Sequence, residues 1–178
     1  MNVRLKTLVG VLGLSAVGVV ALSAARSPFP SDDAIRATFV SHRADFERLV
    51  VMAKEDSHLP RIAPDFTWLD DDVAWPRKNV GISEQRWSDY KQLFRKIGAP
   101  EAILNYTNPT VIMFPIVSTG SVPSGAEKGL AYSQGSLSPI LKSLDARPPK
   151  KFWNGPDRDH MLAYKPIENH WYIYYEQW

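Results

Sequence analysis

His160-Met161-Leu162-Ala163-Tyr164-Lys165, Pro166-Ile167-Glu168-Asn169 and His170-Trp171-Tyr172-Ile173-Tyr174-Tyr175-Glu176-Gln177 form the stretch whose reading decides the fold. Two runs rich in β-formers flank a short segment holding Pro and Asn, which predicts an antiparallel hairpin with Asn169 available for a left-handed turn position. A four-residue turn over 166–169 pairs Lys165 with His170, hence Tyr164 with Trp171, Leu162 with Ile173 and His160 with Tyr175. In that register Leu162, Tyr164, Trp171, Ile173 and Tyr175 face the core. Met161, Ala163, Tyr172 and Tyr174 share the outer face, which Trp178 extends.

Upstream, Val111-Ile112-Met113-Phe114 lacks polar alternation and predicts a strand buried on both faces. It follows a strand over Ala102–Tyr106 and a turn at Asn108-Pro109. The Gly/Ser/Pro-rich stretch 118–129 reads as a loop, Leu130–Ser133 as a short strand, and Ser138-Pro139 as the start of a short helix reaching Leu144. Residues 147–157 read as loop. Residues 61–78 predict an irregular hairpin turning at Asp70-Asp71-Asp72, and Pro64 and Pro76 place it at a sheet edge.

Two helices precede this sheet. Ile35, Phe39, His42, Phe46, Leu49, Val50 and Ala53 fall on one stripe at helical spacing, capped by Ser31 or Asp32 and ended by Pro60 at the latest. Trp87, Tyr90, Leu93, Phe94 and Ile97 form the stripe of a second helix, with Ser83 as N-cap and Gly98-Ala99-Pro100 as stop signal. The expected architecture is α+β: two amphipathic helices packed on one face of an antiparallel sheet of about five or six strands.

The first 25 residues carry an address. Arg4 and Lys6 precede an uncharged apolar run from Thr7 to Ala25 that closes in Ala21-Leu22-Ser23-Ala24-Ala25, the layout of an export signal. The run approaches the roughly 20 residues that span a bilayer, so residues 1–25 read as a cleaved signal peptide or as an anchor held in the inner membrane through residues 7–25. A linker follows over 26–32, then a single domain over 33–178. The expected compartment is the periplasm, with the domain either free there or held outside the cytoplasm by one membrane pass.

The whole chain has 21 Lys+Arg against 19 Asp+Glu, and the leader's Arg4 and Lys6 account for the excess. A neutral domain with dispersed charge has no electrostatic footprint for nucleic acid. The absence of Cys excludes thiol nucleophiles, Cys-ligated zinc and lipid attachment at a processed cysteine.

At most of this mature region the chain resembles a group of small exported proteins and lipoproteins of unknown function in Gram-negative bacteria. The resemblance is carried by Gly81-Ile82-Ser83-Glu84-Gln85-Arg86, by Tyr90 with Leu93-Phe94, by Lys128-Gly129-Leu130-Ala131-Tyr132-Ser133 and by Trp171-Tyr172-Ile173-Tyr174-Tyr175-Glu176. Ala25 stands where lipoprotein relatives have Cys. The resemblance implies an address and no activity.

Chemical motifs are sparse. Gly120-Ser121-Val122-Pro123-Ser124-Gly125 has the glycine spacing of a phosphate-binding loop, but Ala126 and Glu127 stand where Lys and a hydroxyl are needed, so no nucleotide is expected. Asp70, Asp71 and Asp72 lack the alternating acids of a calcium loop and read as a solvated turn. Asp157, Asp159 and His160 resemble metal ligands on paper, yet in extended chain Asp159 and His160 point to opposite faces. In the predicted register His160 and His170 lie about 17 Å apart. No metal and no cofactor are expected. Ser118, Ser121 or Ser124 with some His remains open as a nucleophile assembled by folding.

The leading expectation is a non-catalytic envelope interaction module whose surface includes Tyr172, Tyr174, Trp178, Lys128 and Tyr132, with an envelope protein or cell-wall glycan as partner. Two alternatives stand beside it, a small envelope hydrolase and an immunity or inhibitor protein. A cavity where a His meets a carboxylate or Ser distinguishes the hydrolase from a flat aromatic patch.

Overall fold

The computed structural model describes residues 27–69, 72–75, 79–107, 110–121, 124–148 and 160–178. The leader or anchor over 1–25, Asp70 and Asp71, the turn at Asn108-Pro109, and Asp157 and Asp159 lie outside the described residues. Among the described residues no helix is long and apolar enough to cross a membrane.

The elements are α1 (Asp32–Ser41), α2 (Arg43–Glu55), β1 (Arg61–Ile62), β2 (Thr67–Leu69), β3 (Asp72–Ala74), α3 (Glu84–Ile97), β4 (Ile103–Thr107), β5 (Thr110–Ser121), β6 (Ser124–Ser133), β7 (Met161–Glu168) and β8 (Trp171–Gln177). The strands form one eight-stranded antiparallel sheet in the order β3-β2-β1-β4-β5-β6-β8-β7. This corrects the expected two helices and five or six strands: the described residues hold three helices and eight strands, and the protein is sheet-rich.

The difference has local causes. The first predicted helix breaks at His42 (φ −125°, ψ 23°), whose N–H closes α1 on Thr38 and Phe39 while its carbonyl starts α2. The Gly/Ser/Pro stretch 118–129 is not a loop. Ser118 pairs with Glu127, Thr119 with Ala126 and Gly120 with Gly125, so β5 and β6 run to within two residues of each other. The short helix expected from Ser138 does not form. Tyr164 takes the backbone there instead, donating to Pro139 O (3.0 Å) and accepting from Leu141 N (2.8 Å), which extends the sheet beyond β7 by a single bridge.

The helices cover one face. Ser31 caps α1 and Ser83 caps α3 through side-chain bonds to Ala34 N and Arg86 N, and Gly98 closes α3 with φ 70°. Phe39, Phe46, Leu49 and Tyr90 are fully buried against Ile62, Ile103, Phe114, Leu130, Trp171 and Ile173. Phe39, Phe46 and Phe114 lie 4.8–6.1 Å from the Trp171 ring, centroid to centroid, a cluster that exceeds its area burial by about 1 kcal/mol per pair.

One polar knot fastens the start of α1 to this face. Lys128, fully buried, donates to Pro30 O (2.9 Å) and Asp145 (3.2 Å) and forms an ion pair with Asp32 (2.8 Å). Asp32 also accepts from Lys165 (2.9 Å), Leu144 N (2.9 Å) and Ser143 (3.2 Å). Burial alone would raise the Asp32 pKa, but the bonds from Lys128, Leu144 N and Lys165 outweigh it and hold the carboxyl at about 2.

Candidate functional site

Among the described residues no helix lies on the other face of the sheet, whose residues form a separate cluster around Leu104, Met113, Ala131, Tyr164 and Tyr174. In a flat sheet β2 and β8 would stand five strand spacings apart, about 24 Å. Yet Trp68 on β2 and Glu176 on β8 line one cavity of about 360 Å³, with Arg61, Leu104, Glu127, His160 and Trp178 between them. The sheet therefore curls, and this face is concave. Two features bend it. The β5–β6 register slips between Pro115 and Val117, a bulge that increases local twist. Opposite it, Gly129 lies so close to β5 that a Cβ there would stand 2.1 Å from Phe114 O.

The strand alternation places Glu127 and Glu176 on this face as direct cross-strand partners. Glu127 is buried, 6% exposed, and accepts a hydrogen bond from Tyr174 Oη at 2.6 Å. Tyr174 pairs across the ladder with Gly129. Glu176 meets His160 Nε2 at 2.7 Å. Arg61 sits at the opposite wall, its guanidinium over the rings of Phe66 (5.4 Å) and Trp68 (6.0 Å), and its buried Nε makes no hydrogen bond among the described residues. Trp178 is pinned by paired backbone bonds to Gly125, 3.0 Å each, and its ring lies where a Cβ on Gly125 would come within 2.8 Å.

Burial raises the Glu127 pKa above the usual carboxyl range. The Tyr174 hydrogen bond and the Arg61 charge act against that rise, and the Glu176 and Glu101 charges add to it. Burial, and then the Glu176 charge, push the Tyr164 phenol up to about 12. The site thus combines a carboxyl biased toward its neutral form, a carboxylate held by a His, a cation and two indoles. Such a combination can bind polar ligands and can exchange protons with them.

The residues expected from sequence to form one surface divide between the two faces. Lys128 and Tyr132 pair with Tyr175 and Trp171, so both belong to the helix side, Lys128 as a fully buried structural cation and Tyr132 under the Lys54 ammonium. Tyr174 and Tyr172 belong to the concave side, Tyr174 completely buried beneath the cavity and Tyr172 half-buried. Of the five, Trp178 alone lines the cavity. The final hairpin also has a different register. A bulge between Pro166 and Glu168 leaves only Asn169 and His170 in the turn, with His170 rather than Asn169 at positive φ (64°). Lys165 then faces Ile173, and Leu162 faces Glu176. This slip by an odd number moves Met161 and Ala163 to the core and Leu162 and Tyr164 to the concave face.

That slip also brings His160 to Glu176, a pair the predicted register kept apart. Glu127 and Arg61 were not singled out from sequence. The one available signal was Glu127 within a strand whose neighbours are Ala126 and Gly129. None of the four histidines bonds a Ser side chain among the described residues: His42 meets Asp45, His58 meets Gly81 O and His170 meets Ser133 O. No group of three or more His, Asp or Glu is placed to hold a metal ion among the described residues. A larger cleft, about 650 Å³, opens beside Ser27–Phe29 and the tip of the β5–β6 hairpin. Its carboxylate, Asp145, is already engaged by Lys128 and Asp32 N. No family model matches the chain, and neither the curated proteins nor the solved structures contain a match to it.

Proposed function

We propose that this chain is a carbohydrate-binding protein of the cell envelope, holding cell-wall glycan in the concave face of its sheet. The observation that carries the reading is the cavity in which Glu127, Glu176, His160 and Arg61 converge between Trp68 and Trp178. Its charges nearly balance, which suits a neutral, hydroxyl-rich ligand better than an ion. Carboxylates, imidazole and guanidinium bond hydroxyls, and indole rings offer flat area to the faces of a sugar ring. Beyond the cavity the same face continues over Val73 and Trp75 on the edge hairpin, and Trp68, Val73 and Trp75 are 40%, 38% and 50% exposed. A run of exposed rings leading from a polar cavity fits a chain of sugars. The export-signal layout read at residues 1–25 and the resemblance to small exported proteins support a location where such chains occur.

The test is sedimentation with purified peptidoglycan sacculi, together with titration of the β-1,4-linked hexamer of N-acetylglucosamine followed by tryptophan fluorescence. The wild type is expected to co-sediment and to saturate. Trp68→Ala and Trp75→Ala, both at exposed positions, are expected to lose at least tenfold in affinity while keeping the wild-type unfolding midpoint. Wild-type protein that neither sediments with sacculi nor responds to the hexamer overturns the reading.

A further inference from the structure

We infer that the cavity also cleaves the glycan it holds, with Glu127 as general acid and Glu176 as nucleophile of a retaining glycoside hydrolysis. The inference rests on the proposed glycan binding. It starts from the pairing of β6 with β8, which sets the two glutamates directly opposite one another on the cavity wall. Cross-strand partners hold their Cβ atoms about 4.5–5.5 Å apart. Retaining glycosidases separate their two carboxyl groups by about 5–5.5 Å, a span within reach of two glutamate side chains rooted this close together, whereas inverting ones leave roughly 6.5–9.5 Å for an intervening water.

The surroundings divide the roles. Glu127 is buried and bonded by the Tyr174 hydroxyl, with Glu176 and Glu101 raising its affinity for a proton and Arg61 opposing them. A neutral carboxyl at that position can give its proton to a glycosidic oxygen. Glu176 is the more accessible partner, and His160 engages one of its two oxygens at 2.7 Å.

The chemistry balances in two steps. In the first, a Glu176 oxygen bonds to the anomeric carbon, the bond from that carbon to the glycosidic oxygen breaks, and the Glu127 proton passes to the departing oxygen. In the second, water bonds to the anomeric carbon, its proton goes to Glu127, and the bond to Glu176 breaks. One water is consumed and both side chains return to their starting states.

The experiment incubates the full chain with the N-acetylglucosamine hexamer between pH 4 and pH 8. It follows new reducing ends and reads the anomer of the fresh product by proton NMR. New reducing ends with the β anomer formed first are expected. Glu127→Gln, which keeps an oxygen for Tyr174, should bind the hexamer normally and cleave it about 10²–10⁴-fold more slowly. Glu176→Ala should lose cleavage and, given sodium azide, release the α-glycosyl azide. Hexamer binding without any new reducing end overturns the hydrolysis and leaves the binding reading intact. A product of inverted configuration overturns the assignment of Glu176. Absence of hexamer binding overturns both.

Discussion

Replacing Asp32 by Asn isolates the buried knot that fastens α1 to the sheet. The carboxyl is held at about 2 against an ordinary 3.8, which at 1.36 kcal/mol per pKa unit makes its ionised form worth about 2 kcal/mol of folding stability at neutral pH. The sign follows from the direction. A depressed carboxyl contributes fully above its unfolded value and loses that contribution as pH falls through the folded value. Integrating the proton linkage, about 1 kcal/mol is gone by pH 3 and most of the remainder near pH 2. Asp32→Asn removes the titrating group and leaves Lys128 buried beside a neutral amide, so the variant should be about 3 kcal/mol less stable than wild type at pH 7. Urea unfolding of both proteins, at intervals from pH 7 to pH 3, measures the difference. The gap should narrow by about 1 kcal/mol over that range, because only the wild type loses the contribution of Asp32. A gap that stays constant with pH would refute the assignment of Asp32 as the ionised centre of the knot.

Lys128→Met should cost about 3 kcal/mol at neutral pH, since it strands a buried carboxylate with Lys165 alone; chemical denaturation measures it, and an unchanged midpoint would contradict the pairing. Glu127→Gln should act in the opposite direction. The raised Glu127 carboxyl weakens folding fully above its folded value, so the variant should be more stable than wild type there, the advantage fading as pH falls toward the ordinary 4.5 and absent below it. Gly129→Ala puts a methyl 2.1 Å from Phe114 O and should cost about 1–3 kcal/mol through forced backbone movement, against a loss below about 0.5 kcal/mol if the bulge relaxes freely. Leu49→Ala, at a fully buried position under the helices, should cost about 2–5 kcal/mol in the same assay.

The helices were legible because their signals are local. The stripes from Ile35 to Ala53 and from Trp87 to Ile97, with Ser31, Ser83 and Gly98 at the ends, need only 3.6-residue periodicity and capping chemistry. The doubly buried run Val111–Phe114 was legible for a similar reason, and β3 does form an edge. What failed was non-local. Nothing in Ser41-His42-Arg43 marks a break, because no Gly or Pro stands there. Val117 to Lys128 is loop-like in composition, yet two strands pairing over their whole length outweigh that preference. The register of the last hairpin turned on a bulge at Ile167 that no propensity announces. Register decides function here. With Lys165 set against His170, His160 faces Tyr175 and reaches no carboxylate. With Lys165 set against Ile173, His160 reaches Glu176 and the cavity acquires its chemistry.

Glu127 and Lys128 show how adjacent residues on one strand can serve opposite ends. Both are buried and ionisable, and alternation sends them to different faces. Lys128 is compensated by charge: two carboxylates, Asp32 and Asp145, pair with it, and it donates hydrogen bonds to Pro30 O and Asp145. Such a group stabilises a particular docking of α1 and does nothing else. Glu127 is compensated incompletely. One hydroxyl bonds it, while a second glutamate stands directly across the ladder, where like charges are unfavourable. A Gln at Glu127 would keep an acceptor for Tyr174 while removing the buried ionisable group and the repulsion, so stability does not explain the carboxyl. Departures from locally favourable chemistry that gain nothing for the fold concentrate at working sites. The opposed glutamates are such a departure, and they lie in the cavity that also holds Arg61, His160 and the two indoles.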